Sequence, residues 1–434
     1  ILSNAGADDG LDVTVGNATA ATTLTVTSEN AVAFTAAAAA AQTVSITAGD
    51  DSTVNLNGSD TPDSVTLNST DNYADDAATF TLTANGAGND DITALVLSGS
   101  DDIIVSAADA ADLDGTIVTN NNTATAEITF AGAASVDVTG FADTVTVNLG
   151  ADFAGLTLTG NATEAYTMDL TQGAAVVYST ATAGAANALT LTYDTAAVAS
   201  GTATVTNYPT VNIVAEEAVS MGTMTGDDIT SVVATGDSLL TLTGDVVNST
   251  GGATTVTLDN SGNTGGATLS LAGTANAIET VIGGSGVETV SVTADAGTGA
   301  AYSLSLGAGN DIINLADGTT TINAGTGNDT VNVTAASSFT FNGEGGTDTV
   351  NFTLGTDFSA EDISLSSVDI VAITGAGTVT LNASDISGGT HTLDGTIAGA
   401  EIFSLSVDQA SIDLSNIGVT ADFQDAGDTV VIDA

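Results

Sequence analysis

The chain has 434 residues, with 53 Asp and Glu, no Lys or Arg and one His, a formal charge of −53, yet 43% of it is hydrophobic. A chain that cannot neutralise phosphates does not bind nucleic acid, and an anionic membrane surface repels it unless cations bridge the two. The hydrophobic share is that of a folded protein rather than a solvated acidic tail, and the absence of cysteine excludes disulfides and thiol chemistry.

Residues 1–41 alternate polar turns (NAGADDG, TSEN) with short strand-like runs (LDVTV, TLTVT) and end in the alanine tract Ala36 to Ala41. The tract favours helix by propensity, but its flanks AVAFT and QTVSIT equally suit a tightly packed strand, and both readings stand. No run approaches the roughly 20 apolar residues of a transmembrane helix. The start at Ile1, without methionine or a basic leader, reads as processing or as part of a longer precursor.

From Gln42 to Ser106 the runs SITAGDDSTVNLNGSDTPDSVTLN and FTLTANGAGNDDITALVLSGSDDIIV alternate Val, Thr and Leu between Gly-Asp and Asn-Gly turns, a pattern of strands joined by tight turns. VDVTG at 136–140 recurs as LTLTG at 156–160, and Val176 and Tyr178 follow at the same 20-residue step, a solenoid-sized coil. LLTLTGDVV, TTVTLDNSG, ATLSLAG and ETVSVTADAG continue the style to Gly297, interrupted only by Pro62 and Pro209.

Between Leu306 and Phe352 the pattern becomes strict. Three glycine–aspartate turns are each followed two residues on by Ile or Val; Asp311 and Asp329 lie 18 apart, Asp329 and Asp348 lie 19 apart, and Ile313, Val331 and Val350 keep the step. Two nine-residue units make one coil of a flattened parallel solenoid, with those three apolar residues as one inward row. Stacked coils about 4.8 Å apart would set carboxylates against one another at a cost of roughly 3 to 4 kcal/mol per pair at an effective dielectric near 20. With no Lys or Arg in the chain, a bound cation has to supply the counter-charge. Asp oxygens, together with carbonyls that glycines can turn toward them, suit Ca2+ better than zinc or copper.

AGTGNDTVN at Ala324 to Asn332 and LGAGNDIIN at Leu306 to Asn314 resemble the RTX (repeats-in-toxin) calcium-binding nonapeptide GGxGxDxUx; GEGGTDTVN at Gly343 to Asn351 departs from it with Glu344 at the second glycine. The resemblance implies one ion between the motifs of Asp311 and Asp329 and another between those of Asp329 and Asp348, held by Asp side chains and turn carbonyls. The matching candidate residues are Gly307, Gly309, Asp311, Gly325, Gly327, Asp329, Gly346 and Asp348. GAGNDDI at 86–92 repeats GAGNDII with one added Asp and makes Asp90 a further candidate, with a solvated Asx turn as the alternative. The half-coils ADGTTTINA and TAASSFTFN give no ground for a second ladder on the opposite side.

After Phe352 the chain reads IVAITGAGTVTLNASDI, HTLDGT, EIFSLSV and ADFQDAGDTVVIDA. The last run resembles the uncleaved C-terminal signal of RTX proteins exported by type I secretion, and reads equally as a final strand ending at Ile432. No GxSxG, HExxH or Walker motif occurs, and His391, in SGGTHTLDGT, is expected to be solvated rather than catalytic. No tryptophan is present to stack a sugar ring.

The expectation is therefore an all-β chain, a parallel β-solenoid or β-roll with RTX-like calcium-binding coils and further β-rich segments. Its expected regions are 1–130 (N-terminal, β-rich), 131–300 (solenoid-like repeats) and 301–434 (RTX-like roll and C-terminal β region). The style resembles calcium-dependent surface-layer proteins of Gram-negative bacteria. That resemblance implies a secreted, non-enzymatic protein at the cell surface or beyond, assembling with copies of itself into a layer or filament, with cell-surface polysaccharide as a second candidate partner. An RTX adhesin, or the non-catalytic part of a secreted RTX hydrolase, is the alternative.

Overall fold

In the computed structural model the chain divides into two compact units, Ile1–Val211 and Asn212–Ala434. The structure describes residues 2–4, 11–15, 23–36, 43–55, 64–70, 78–83, 92, 94–100, 102–107, 116–122, 126–130, 134–140, 145–149, 156–160, 162–170, 176–180, 183–194, 198–249, 255–271, 277–293, 301–316, 319–335, 337–353, 355–374, 377–395, 400–420, 422–424 and 427–433. The alanine tract beyond Ala36 and the candidate Asp90 lie outside them.

Each unit is a β-solenoid. Strands pair in parallel with the strand one coil earlier and the strand one coil later, so the ladders run along the coil axis. In the first unit one ladder contains Leu24–Ser28, Thr43–Ala48, Ser64–Ser69 and Ala94–Gly99, and continues through Leu156–Gly160 and Val176–Thr180 to Ala203–Thr206. The other takes the alternate strands, from Leu11–Val15, Val32–Ala36 and Ser52–Asn55 to Ala188–Tyr193.

The second unit has a first ladder running from Ser231–Gly236 through Ala301–Ser305, Thr319–Thr326 and Phe339–Gly345 to Ile363–Ser366. Its second ladder runs from Val219–Met221 through Ala267–Leu271, Glu288–Val292, Ile312–Leu315, Thr330–Val333, Thr349–Thr353 and Ile370–Thr374 to Thr392–Asp394 and Gly418–Val419. A three-stranded parallel sheet adds Gly377–Asn382, Glu401–Ser406 and Thr429–Asp433, the last of which lies within the terminal run.

The alternation that marks these strands in sequence is their burial pattern: Thr43–Ala48 and Ser64–Ser69 are buried at every second residue. Parallel stacking sets like on like, so Val26, Ile46, Leu67 and Leu97 form one inward row in the first unit. In the second, Ile313, Val331 and Val350 are fully buried as the sequence implies, and the row extends to Val290, Val371 and Leu393. Each such side chain contributes about 1.5 to 3 kcal/mol of burial. Phe352 packs against Phe358 and Phe339 at centroid distances of 5.1 and 6.4 Å within this core.

The 20-residue repeat needs one correction. Leu156 and Leu158 pair with Val176 and Tyr178 at that step, but Val136 pairs with Leu158 rather than Leu156. Matching VDVTG to LTLTG by letter is thus two residues off. A shift of two keeps the same face inward, so the hydrophobic pattern alone cannot detect it.

Candidate metal column

The second ladder of the second unit carries the site. Its pairings, Thr289 with Ile312, Ile312 with Thr330, Thr330 with Thr349, Thr349 with Ile370 and Ile370 with Thr392, place the preceding residues Glu288, Asp311, Asp329, Asp348, Asp369 and His391 in one column. Glu288, Asp311, Asp329 and Asp348 are at most 1% exposed, whereas Asp369 is exposed.

Each carboxylate reaches back to the coil before it. The Glu288 N–H donates to Asp311 Oδ1 at 2.8 Å, Asp311 N–H to Asp329 Oδ1 at 2.8 Å, Asp329 N–H to Asp348 Oδ1 at 2.9 Å and Asp348 N–H to Asp369 Oδ2 at 2.9 Å. Main-chain amides therefore compensate one oxygen of each acid, a contribution the bare-repulsion reading leaves out. The other oxygen is not compensated: Glu288 Oε2 and the Oδ2 atoms of Asp311, Asp329 and Asp348 are buried without a hydrogen-bond partner. A buried unsatisfied polar atom costs about 1 to 3 kcal/mol, and more when it is charged.

The glycines set the backbone around these oxygens. Gly307, Gly309, Gly325, Gly327 and Gly346 have φ of 96°, 154°, 105°, 144° and 149°, where side chains are disfavoured. A Cβ on Gly325, Gly327 or Gly346 would also overlap the carbonyl oxygen of Gly307, Gly309 or Gly327 in the coil before. Glu344, register partner of Gly325, keeps the left-handed backbone at φ 65° despite its side chain, so the third copy preserves the turn under strain. Beside Gly343, a Cβ would overlap both the free Asp348 Oδ2 and the Ser367 carbonyl oxygen, so a carboxylate and a turn carbonyl face the same space.

Burial is the main cause that raises Glu288, Asp311, Asp329 and Asp348, and in the three aspartates a neighbouring carboxylate adds to it. Asp311 is pushed up to about 8, with Glu288 and Asp329 as the flanking charges. Asp329, Asp348 and Glu288 are raised in the same direction, each chiefly by burial. Neutralisation by a proton or by a cation relieves the same strain.

Hard oxygen donors of this kind fit Ca2+. The residues that would hold it are Asp311, Asp329 and Asp348, with carbonyls from the turns of Gly307 to Gly309 and Gly325 to Gly327. Among the described residues no three acidic or histidine side chains form one metal-binding cluster, so carboxylates alone would not complete any ion's shell.

Three column members are absent from the motif reading. Glu288 lies in GGSGVETV, which has the glycine spacing with Glu in place of Asp. Its Oε1 accepts from Asn260 Nδ2 at 3.0 Å and from the Gly284 N–H at 3.3 Å. Asp369 lies in SSVDIVAI, where serines replace the glycines and Ser367 adopts φ 52°. His391, expected to be solvated, is instead 4% exposed, with Nδ1 2.8 Å from the Val368 carbonyl oxygen. It lines a cavity of about 420 Å³ with Glu344, Ser366, Ser367, Asp369 and Thr390, and its partner there is a backbone carbonyl rather than the aspartate of a catalytic pair. The half-coils Thr319–Thr326 and Phe339–Gly345 turn Thr320, Ile322, Phe339 and Phe341 inward, with no carboxylate row.

Compared with protein-family models, with curated proteins and with solved structures, the chain matches none of the three.

Proposed function

We propose that this chain is a secreted, calcium-dependent structural protein that assembles with copies of itself into an extracellular layer or filament. The observation that carries this reading is the column of buried carboxylates, each with an uncompensated oxygen beside glycine turns, in a chain with no Lys or Arg. Calcium is the counter-ion this reading assigns to the column, and a stable, ion-stapled solenoid suits a load-bearing role better than catalysis. Self-assembly draws on the exposed apolar side chains Val430, Val431 and Ile432 of Thr429–Asp433 and on the −53 charge, which keeps copies apart unless divalent ions join them. Cell-surface polysaccharide is the second partner under this reading.

The test has two arms. Asp329 sits between two proposed ions, so in calorimetry Asp329→Ala should lose calcium stoichiometry as well as affinity; an unchanged isotherm removes calcium from the column. Light scattering follows native particles through a chelator titration in molar sodium chloride. Dissolution supports calcium bridging, which monovalent salt cannot provide, whereas particles that persist at full size show assembly without it.

A further inference from the structure

Charge is sorted on the second unit. The outward column of its second ladder, from Ser220 to Thr392, has nine rungs, all Ser or Thr except Ile312 and Ile370. The adjoining column, from Ser270 to Ala372, carries no charge until Asp394. It carries an amide ladder in which Asn332 Nδ2 donates to Asn314 Oδ1 at 2.9 Å and Asn351 Nδ2 to Asn332 Oδ1 at 2.8 Å. The first ladder also has an uncharged outward column, from Ser231 to Ser364, but it is shorter, at seven rungs, and acids stand beside it at Asp259, Glu279 and Glu344.

We propose that this sparsely charged face is where two copies of the chain pack against each other, an inference that rests on the self-assembly reading and adds a surface to the exposed strand Thr429–Asp433. Nine rungs at about 4.8 Å and strands of three to five residues at about 3.3 Å make a face of roughly 38 by 14 Å. Two such faces bury on the order of 1,100 Å², just above the roughly 1,000 Å² that a specific contact needs. Repulsion between copies reaches about 8 Å at physiological ionic strength, so they approach most cheaply where carboxylates are fewest, and this face carries one, Asp394, at its last rung. Hydroxyl and carboxamide groups both donate and accept, so the face complements itself, as a two-fold contact between identical surfaces requires. A cationic partner would go instead to the acidic turns, and a sugar ring would find no aromatic side chain on this face.

The experiment compares particle formation in millimolar calcium. Thr289→Glu with Thr349→Glu sets two charges on the face without making them neighbours in the column. This pair should raise the concentration needed for assembly by about 100-fold, since like charges across an interface cost several kcal/mol. Ser303→Glu with Thr340→Glu, on the first ladder, should leave it unchanged. Melting curves and calcium isotherms confirm that both pairs fold. As a milder probe, the cysteine-free chain accepts Thr330→Cys or Thr321→Cys as a single thiol. Maleimide labelling should slow on assembly for Thr330→Cys and not for Thr321→Cys. Native particles that tolerate the Thr289/Thr349 pair, or leave Thr330→Cys fully reactive, overturn the face and leave self-assembly standing. A native chain that stays single in calcium overturns both.

Discussion

In the first unit the Val32 N–H is capped by Ser52 Oγ at 2.9 Å, and Ser28, Ser52 and Ser69 are at most 3% exposed. In the second, the Asp311 and Asp329 N–H groups are capped by carboxylates one coil later. Both devices satisfy a buried donor. A hydroxyl does so with a neutral group that also donates, as Ser52 Oγ does to the Asp50 carbonyl oxygen at 2.8 Å. A carboxylate is the stronger acceptor, but it leaves a second oxygen charged and alone. The chain thus contains a self-sufficient closure and one that asks for a positive partner.

The largest perturbation is Val331→Asp. It removes about 1.5 to 3 kcal/mol of burial and adds an unpaired buried charge costing several kcal/mol more. The second unit should lose hydrogen-exchange protection while the strands Thr43–Ala48 and Ser64–Ser69 keep theirs, read on peptic peptides because trypsin finds no site. Equal loss in both would show that the two closures do not fold independently.

Next comes pH. Asp311 is raised in the folded state to about 8, against about 3.9 in an unfolded chain. Its stabilising contribution is full below pH 4 and is lost as pH rises through about 8. In chelator the native melting temperature should fall across that window. Asp311→Asn keeps the acceptor for Glu288 N–H and replaces the free oxygen with an amide. It should melt above the native chain at pH 8, converge with it near pH 4, and fall below it once calcium is added. Parallel curves would remove Asp311 as the source of the slope.

The smallest effect belongs to the neutral closure. Ser52→Ala leaves the Val32 N–H without its cap and should cost about 1 to 2 kcal/mol in denaturant unfolding, with the same value in calcium and in chelator. A calcium-dependent cost would erase the distinction between the two closures.

Much of this was legible in the letters. Alternation gave the strands, and the step from Ile313 to Val331 to Val350 gave coil length and inward row together. The centre of the column was legible because Asp311, Asp329 and Asp348 share one residue type and glycine spacing. Its ends were not: Glu288 keeps the glycine spacing but with a different acid, and only register, which depends on how the preceding strands pair, places Asp369 and His391 there. The backbone amide on each carboxylate was also hidden, since an 18- or 19-residue step sets the stacking but not the direction a side chain turns.

Successive carboxylates are 23, 18, 19 and 21 residues apart, from Glu288 to Asp369, yet the strand pairings beneath them do not slip. The column acts as a ruler that fixes where each coil begins, and surplus length is taken up in the connections. For a lineage carrying such a gene, insertions and deletions divide sharply by place. Residues added in a connection between strands should leave every rung aligned, whereas one residue added between Asp311 and Ile313 turns that strand inside out. Duplication of a whole coil falls on the permissive side as well, so a chain of this kind can change its length by copying a coil without redesigning its core.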